Sequence, residues 1–302
     1  MQLKGVFAPV CTPFKENGDV HREALRQNIA NYVQAGLKGF VVGGSTGEAP
    51  LLSTAEKQQI FQTVREAADG CVLIAGVGAE SVRETKVLIG HAAALGYDAA
   101  LVLTPHFYRS QMLRPETQTA FFLAVADSSP IPVLIYNFPQ MTGIDLSFDV
   151  AARLAEHPNI IAMKESSADL GRIGQLIAIL PETFPVFVGA SPKFHDCLRL
   201  GANGGILAIA NAAPRMAQLI YDSFRSGDIE GSAACQRQIA DAAGVAPRFG
   251  IQGLKYGMDL MGYFGGAARP PLLPLGAHQK AEIEVLFRSL KDSQGALGKA
   301  QA

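Results

Sequence analysis

Lys164 holds the position in this 302-residue chain where an amine could do chemistry. Of eleven lysines, it alone directly completes a strand-like apolar run, Ile160-Ile161-Ala162-Met163. An amine among apolar walls is disfavoured as the ammonium ion and attacks a ketone as the free base. The same pattern fits a rim lysine salt-bridged to Glu165 or Glu48, and the residue types alone leave these two readings level. Tyr136 ends the preceding apolar run and should neighbour Lys164. A phenol there can move protons on and off carbinolamine and enamine intermediates; it can equally be an aromatic plug. Gly43-Gly44-Ser45-Thr46-Gly47-Glu48 closes a third run. Small residues there let backbone N–H groups approach an anion, and two hydroxyls add donors. A carboxylate fits this nest, a phosphate would lack a Lys or Arg within the loop to balance it, and a plain glycine turn is the structural alternative.

Such groups need a scaffold that gathers the ends of several strands. Eight short apolar runs recur: residues 5–10, 39–42, 72–77, 99–103, 132–136, 160–163, 186–188 and 205–210. They are rich in Val, Ile and Leu with little alternation, which predicts strands buried on both faces of a parallel sheet. The segments between them read as amphipathic helices. Ser53-Thr54-Ala55-Glu56 has the form of a capping box, and Pro115 and Pro192 suit first helical turns. This rhythm predicts a TIM (β/α)8 barrel over residues 1–225, with catalytic groups at the C-terminal strand ends. A doubly wound sheet is disfavoured, because the first run ends in Pro9-Val10-Cys11-Thr12-Pro13 and not in a glycine-rich phosphate loop. Gly76-Val77-Gly78 follows the third run, lacks the final glycine of such a loop and reads as a tight turn. Residues 226–302 lose the strand rhythm and predict a C-terminal helical region packed on the barrel, with helices over 228–243, 251–261 and 277–289.

Composition narrows the partners. Hydrophobic residues make up 48% and charged residues 18%, with a formal net charge of -1 and no basic run. A nucleic-acid partner is therefore not expected. Four scattered cysteines, Cys11, Cys71, Cys197 and Cys235, form neither a C-x-x-C pair nor a zinc spacing, and reduced buried thiols suit a cytoplasmic protein. Neither a signal peptide nor an apolar stretch long enough for a membrane span is expected. No metal is assigned, because no His or carboxylate pair has ligand spacing. His106 reads as a rim histidine and His195 as structural.

Three motifs together are similar to a known family. Gly44-Ser45-Thr46-Gly47-Glu48, Tyr136-Asn137-Phe138-Pro139 and Ile160-Ile161-Ala162-Met163-Lys164-Glu165, in that order and spacing, resemble the dihydrodipicolinate synthase / N-acetylneuraminate lyase family over nearly the whole chain. The resemblance implies a Schiff base between Lys164 and a small 2-oxo acid such as pyruvate. It also implies a proton-relaying Tyr136, a carboxylate nest at Ser45 and Thr46, no cofactor, and a homotetramer or homodimer.

Within the family, synthases carry an arginine shortly after the Tyr-Asn-x-Pro motif; this chain has Gln140-Met141-Thr142-Gly143 there. Phe107 stands where synthases have a relay tyrosine. Tyr108-Arg109, Lys164-Glu165-Ser166 and the tail around Arg248–Lys255 and Gly262–Gly266 look closer to the 4-hydroxy-2-oxoglutarate aldolase branch. Thr46 departs from it, since eukaryotic members tend to have asparagine. The expected reaction is cleavage or formation of a 4-hydroxy-2-oxo acid, with dihydrodipicolinate synthesis and silent 2-oxo acid binding as the alternatives. Lys164, Tyr136, Thr46 and Tyr108 are the expected catalytic residues. Ser45, Thr46, Gly47, Ser166, Gly189 and Ile206 are expected to bind substrate.

Overall fold

Eight apolar segments pair side by side, each with its sequence neighbours, and the last closes on the first. In this computed structural model, which describes residues 3–299, the strands are β1 (Gly5–Pro9), β2 (Gly39–Val42), β3 (Val72–Gly76), β4 (Ala99–Leu103), β5 (Val133–Asn137), β6 (Ile160–Glu165), β7 (Val186–Val188) and β8 (Gly204–Ile206). All eight pairings are parallel. Parallel neighbours cannot be joined by a tight hairpin, so a crossover returns the chain after each strand. The crossovers hold α1 (Arg22–Gln34), α2 (Thr54–Ala67), α3 (Val82–Ala94), α4 (Arg109–Met112), α5 (Pro115–Ser128), α6 (Pro139–Thr142), α7 (Phe148–Ala155), α8 (Leu170–Ile179) and α9 (Phe194–Arg199). The fold is a TIM barrel, followed by α10 (Pro214–Arg225), α11 (Ile229–Ala243), α12 (Val245–Leu260) and α13 (Ala277–Lys299).

Two apolar layers result from the alternation of side chains along each strand. One set, including Phe7, Val41, Ile74, Leu101, Leu134 and Phe187, fills the barrel interior. The other faces the helices and extends without a break to Leu254, Met258, Ile283 and Phe287 of α12 and α13. The C-terminal helices thus share the outer core with the barrel. The expected ranges 1–225 and 226–302 begin and end in residues outside the described ones, at 1–2 and 300–302.

Local signals explain most element ends. At α2, the Ser53 hydroxyl accepts from Glu56 N–H, and the Glu56 carboxylate accepts from Ser53 N–H, a capping box worth about 1 kcal/mol. Pro115 begins α5. The eighth apolar run departs from expectation. Only Gly204–Ile206 is strand, and Ala208–Asn211 is a 3-10 turn. The Asn211 amide draws that turn inward by donating to Pro9 O (2.9 Å) and Ala208 O (3.0 Å). The α12 segment breaks at Gly250 (φ 69°, ψ -166°), so the helix expected from residue 251 starts just beyond that break.

Candidate active site

The register of β5 and β6 sets Tyr136 opposite Lys164, and that of β6 and β7 sets Lys164 opposite Phe187. Lys164 lies two residues beyond Ala162, an interior residue, so its side chain also points inward. It is 5% exposed, and its Nζ lies 4.0 Å from the centroid of the Tyr136 ring. Among the described residues, Nζ makes neither a hydrogen bond nor an ion pair, and the Tyr136 hydroxyl also has no hydrogen-bond partner. Phe138 stacks on Tyr136 at 5.8 Å and fixes the plane of the phenol.

The two carboxylates nearest Lys164 in the chain motifs are both committed elsewhere. Glu165, fully buried, points to the outer face. It accepts from Asn137 Nδ2 (2.9 Å) and Ser167 N–H (2.7 Å) and pairs with Arg172 Nε (3.1 Å). Glu48, 2% exposed, pairs with Lys255 Nζ at 2.5 Å and accepts from Arg269 N–H at 2.8 Å. The Lys255 contact is one of charge more than of a well-aligned hydrogen bond, since Oε1 gains no bond of good geometry from it. The rim salt bridges considered for Lys164 are therefore absent among the described residues.

After β2 the chain forms a 3-10 turn, Ser45–Gly47. Its internal bonds run from Gly47 N–H to Gly44 O and from Glu48 N–H to Ser45 O. Among the described residues, the N–H and hydroxyl groups of Ser45 and Thr46 keep no partner, and both residues are only half-buried. Four donors so placed can hold one carboxylate. Gly47 is needed for the fit, because a Cβ there would lie 2.8 Å from Val10 O. Thr12 Oγ1 donates to Gly47 O at 2.7 Å and ties the turn to the end of β1.

The other expected residues fall in three groups. Ser166 sits half-buried directly after β6, and a Cβ at Gly189 would lie 2.1 Å from Ser166 Oγ. Gly189 therefore makes room for the Ser166 side chain, another of the expected substrate-binding residues. Ile206 is 1% exposed in the interior cluster, where its side chain forms an apolar wall. Tyr108 is 71% exposed, edge-on to Phe107 at 5.2 Å. No ring contact or hydrogen bond joins it, or Thr46, to Tyr136 among the described residues. At the start of the loop after β4, Glu80 accepts from His106 N–H and Phe107 N–H (both 2.9 Å) and pairs with His106 Nδ1 at 3.0 Å, which anchors that loop to the one after β3.

The surroundings of two residues quoted in the motifs were not visible from the sequence. Arg109, next to Tyr108, lays its guanidinium against Gly143 at the end of α6, where a Cβ would lie 3.3 Å from Cζ. Among the described residues it has no carboxylate partner. Lys255 is the second buried lysine, hidden in a helix without strand periodicity. His195 proves structural: Ser232 Oγ donates to Ile220 O and lies 2.9 Å from His195 Nδ1, linking α9 to α11.

Among the described residues, no group of three or more His, Cys, Asp or Glu is placed to hold a metal ion. No helix of the described residues is long and apolar enough to cross a membrane. The four cysteines are free thiols, and burial pushes Cys11 and Cys197 up to about 12.

The barrel and its unpaired mouth lysine define a class I aldolase, a carbon–carbon lyase that works through a lysine Schiff base. A family model described as the Dihydrodipicolinate synthetase family matches residues 2–290, and the chain belongs to that family. A 4-hydroxy-tetrahydrodipicolinate synthase from Methanothrix thermoacetophila is 32% identical over 97% of this chain and 99% of its own. An Emericella nidulans protein named "Probable 4-hydroxy-2-oxoglutarate aldolase, mitochondrial" is 35% identical over 94% of each chain. A prophage protein of the dihydrodipicolinic acid synthase family from E. coli K12, solved in complex with pyruvate, superposes with a TM-score of 0.91 at 27% identity, covering 96% of this chain and 99% of that one.

Proposed function

We propose that this enzyme cleaves and forms a 4-hydroxy-2-oxo acid with two carboxylates, such as 4-hydroxy-2-oxoglutarate, through a pyruvate Schiff base on Lys164. One observation carries the reading: Lys164 Nζ is the buried amine of the mouth, and both neighbouring carboxylates are taken, Glu165 by Arg172 and Glu48 by Lys255. The amine attacks C2 of the substrate. The Tyr136 hydroxyl carries protons to and from the carbinolamine oxygen, water leaves, and the iminium accepts the electron pair as C3–C4 breaks. Tyr136, having given its proton to the departing water, takes the C4 hydroxyl proton as an aldehyde departs, and the pyruvate enamine that remains is protonated at C3 from solvent and hydrolysed from Lys164. The Ser45 and Thr46 donors hold the C1 carboxylate throughout.

Arg109 and Ser166 take the distal carboxylate in this reading. The guanidinium over Gly143 supplies the positive charge that the Met141 segment lacks, and the relative from Emericella nidulans supports an aldolase. The synthase reading has its own support in the names of the relatives from Methanothrix thermoacetophila and Exiguobacterium. The two differ in one assay. Pyruvate released from 4-hydroxy-2-oxoglutarate is expected here, whereas pyruvate consumed only with aspartate semialdehyde would favour the synthase. Thermal stabilisation by pyruvate without an adduct would mark a silent binder. Phe107, 75% exposed, and Tyr108 form the kind of apolar patch a second copy covers, in keeping with a homotetramer or homodimer. A monomer by sedimentation would exclude that assembly.

A further inference from the structure

We infer that Lys255 is a positioning residue for the carboxylate nest, acting through its buried ion pair with Glu48; this rests on the Schiff-base reading above. Glu48 follows the nest directly, its N–H donates to Ser45 O at 3.1 Å, and its backbone is left-handed at φ 59°. A glutamate has no intrinsic preference for that region, so something outside the turn must hold it there. The side chain supplies the hold. Oε1 lies 2.5 Å from Lys255 Nζ, and Oε2 accepts from Arg269 N–H at 2.8 Å.

Lys255 is itself fixed. Its Nζ donates to Ala267 O at 2.9 Å and sits 4.5 Å from the Phe14 ring centroid. Burial raises the Cys11 thiol nearby to about 12 and keeps it neutral, and among the described residues Glu48 is the carboxylate paired with Lys255. Lys255 is fully buried and Glu48 2% exposed, so neither reaches a substrate; both act on the N–H groups of Ser45 and Thr46. An apolar pair of similar volume could match such a pair for stability, but dispersion contacts are not directional. A charge pair aims the turn. With Thr12 holding Gly47 O from the β1 side, the nest is pinned at two points, one on the barrel and one on the C-terminal helices.

The test is the pyruvate concentration at half-maximal borohydride trapping on Lys164, read beside circular dichroism and melting temperature. In Lys255→Met it should rise by about tenfold or more, the effect of misaiming charge-assisted donors. The limiting trapping rate at saturating pyruvate should stay within about threefold, because Lys164 and Tyr136 do not move. Leu88→Ala, a fully buried leucine of α3, should lose stability yet keep the half-saturation within about twofold. If Lys255→Met does not fold, Glu48→Gln keeps an acceptor for Arg269 N–H while removing the charge, and should show the same split. An unchanged half-saturation in a folded variant, or an equal rise in Leu88→Ala, overturns the inference. Wild-type protein that binds pyruvate but traps none contradicts the Schiff-base reading instead, and calorimetric dissociation constants for wild type and Lys255→Met then decide the positioning claim. Wild type that binds no pyruvate overturns both.

Discussion

Two lysines are buried among the described residues, and their surroundings differ in kind. Lys255, in α12, is fully enclosed, with a carboxylate at 2.5 Å, a carbonyl at 2.9 Å and an aromatic face beside it. Lys164, at the end of β6, is also shielded, but its Nζ has only the Tyr136 ring. Taking an ion out of water costs several kcal/mol, and a matched partner offsets most of that cost. Lys255 has such a partner in Glu48, and its Nζ is further engaged by the Ala267 carbonyl. Lys164 has none, and a carbonyl carbon is the group that could engage it. The two buried lysines thus differ in whether a carboxylate meets the amine.

The largest effect expected from breaking this contrast is at Lys164. Replacing it with Met should remove turnover by on the order of 10⁴-fold or more, the scale seen when a covalent nucleophile is lost. The melting temperature should hold, because no partner is left behind. Lys255→Met should do the reverse on stability. It strands Glu48 and is expected to cost about 3–5 kcal/mol in chemical denaturation. Equal stability loss in the two variants would erase the distinction. Tyr136→Phe keeps the ring under Lys164 and removes only the hydroxyl, so kcat should fall by about 10²–10⁴-fold with the fold intact. Arg109→Ala sharpens the substrate side: KM for a dicarboxylic 4-hydroxy-2-oxo acid should rise by about 10–100-fold while trapping of pyruvate is unchanged.

The smallest effect concerns acid stability on the Lys255 side. Arg269 caps Glu48 through its N–H and grips Glu56 through its guanidinium, at 2.5 Å and 3.0 Å. Those Arg269 bonds, aided by Ser53, hold the Glu56 carboxyl down from 4.5 to about 2, against the opposing effect of burial. A depressed carboxylate contributes stability above its ordinary range and loses it as pH falls through its folded value. The contribution should therefore fade between about pH 4.5 and about 2. In Arg269→Gln that window should flatten, so wild type and variant melting temperatures converge as pH falls. Curves that stay parallel would remove Glu56 from the account of acid stability.

How much of this was legible in the chain depends on whether the signal was local. Parallel barrel strands are buried on both faces, so the runs stood out as apolar stretches, and Tyr136 and Lys164 were visible because each sits at the end of one. The eighth run was read too long, since Leu207 to Ala210 is as apolar as a strand and only the distant Asn211–Pro9 bond shows that the chain turns. The surroundings of Tyr108 were illegible for a similar reason: the start of the loop after β4 is bonded to Glu80, which belongs to the loop after β3. Lys255 was missed because a helix gives no strand rhythm and its partner lies in another part of the chain. Arg109 meets Gly143 only through the fold, and no spacing rule could have joined them.

The most direct measurement is borohydride reduction with pyruvate, followed by intact mass and peptide mapping of wild type, Lys164→Met and Lys255→Met. A reduced pyruvyl adduct on Lys164 is expected in wild type and, at saturating pyruvate, in folded Lys255→Met, with none in Lys164→Met. An adduct on Lys255, or one that survives in Lys164→Met, would contradict the assignment of the unpaired lysine as the nucleophile.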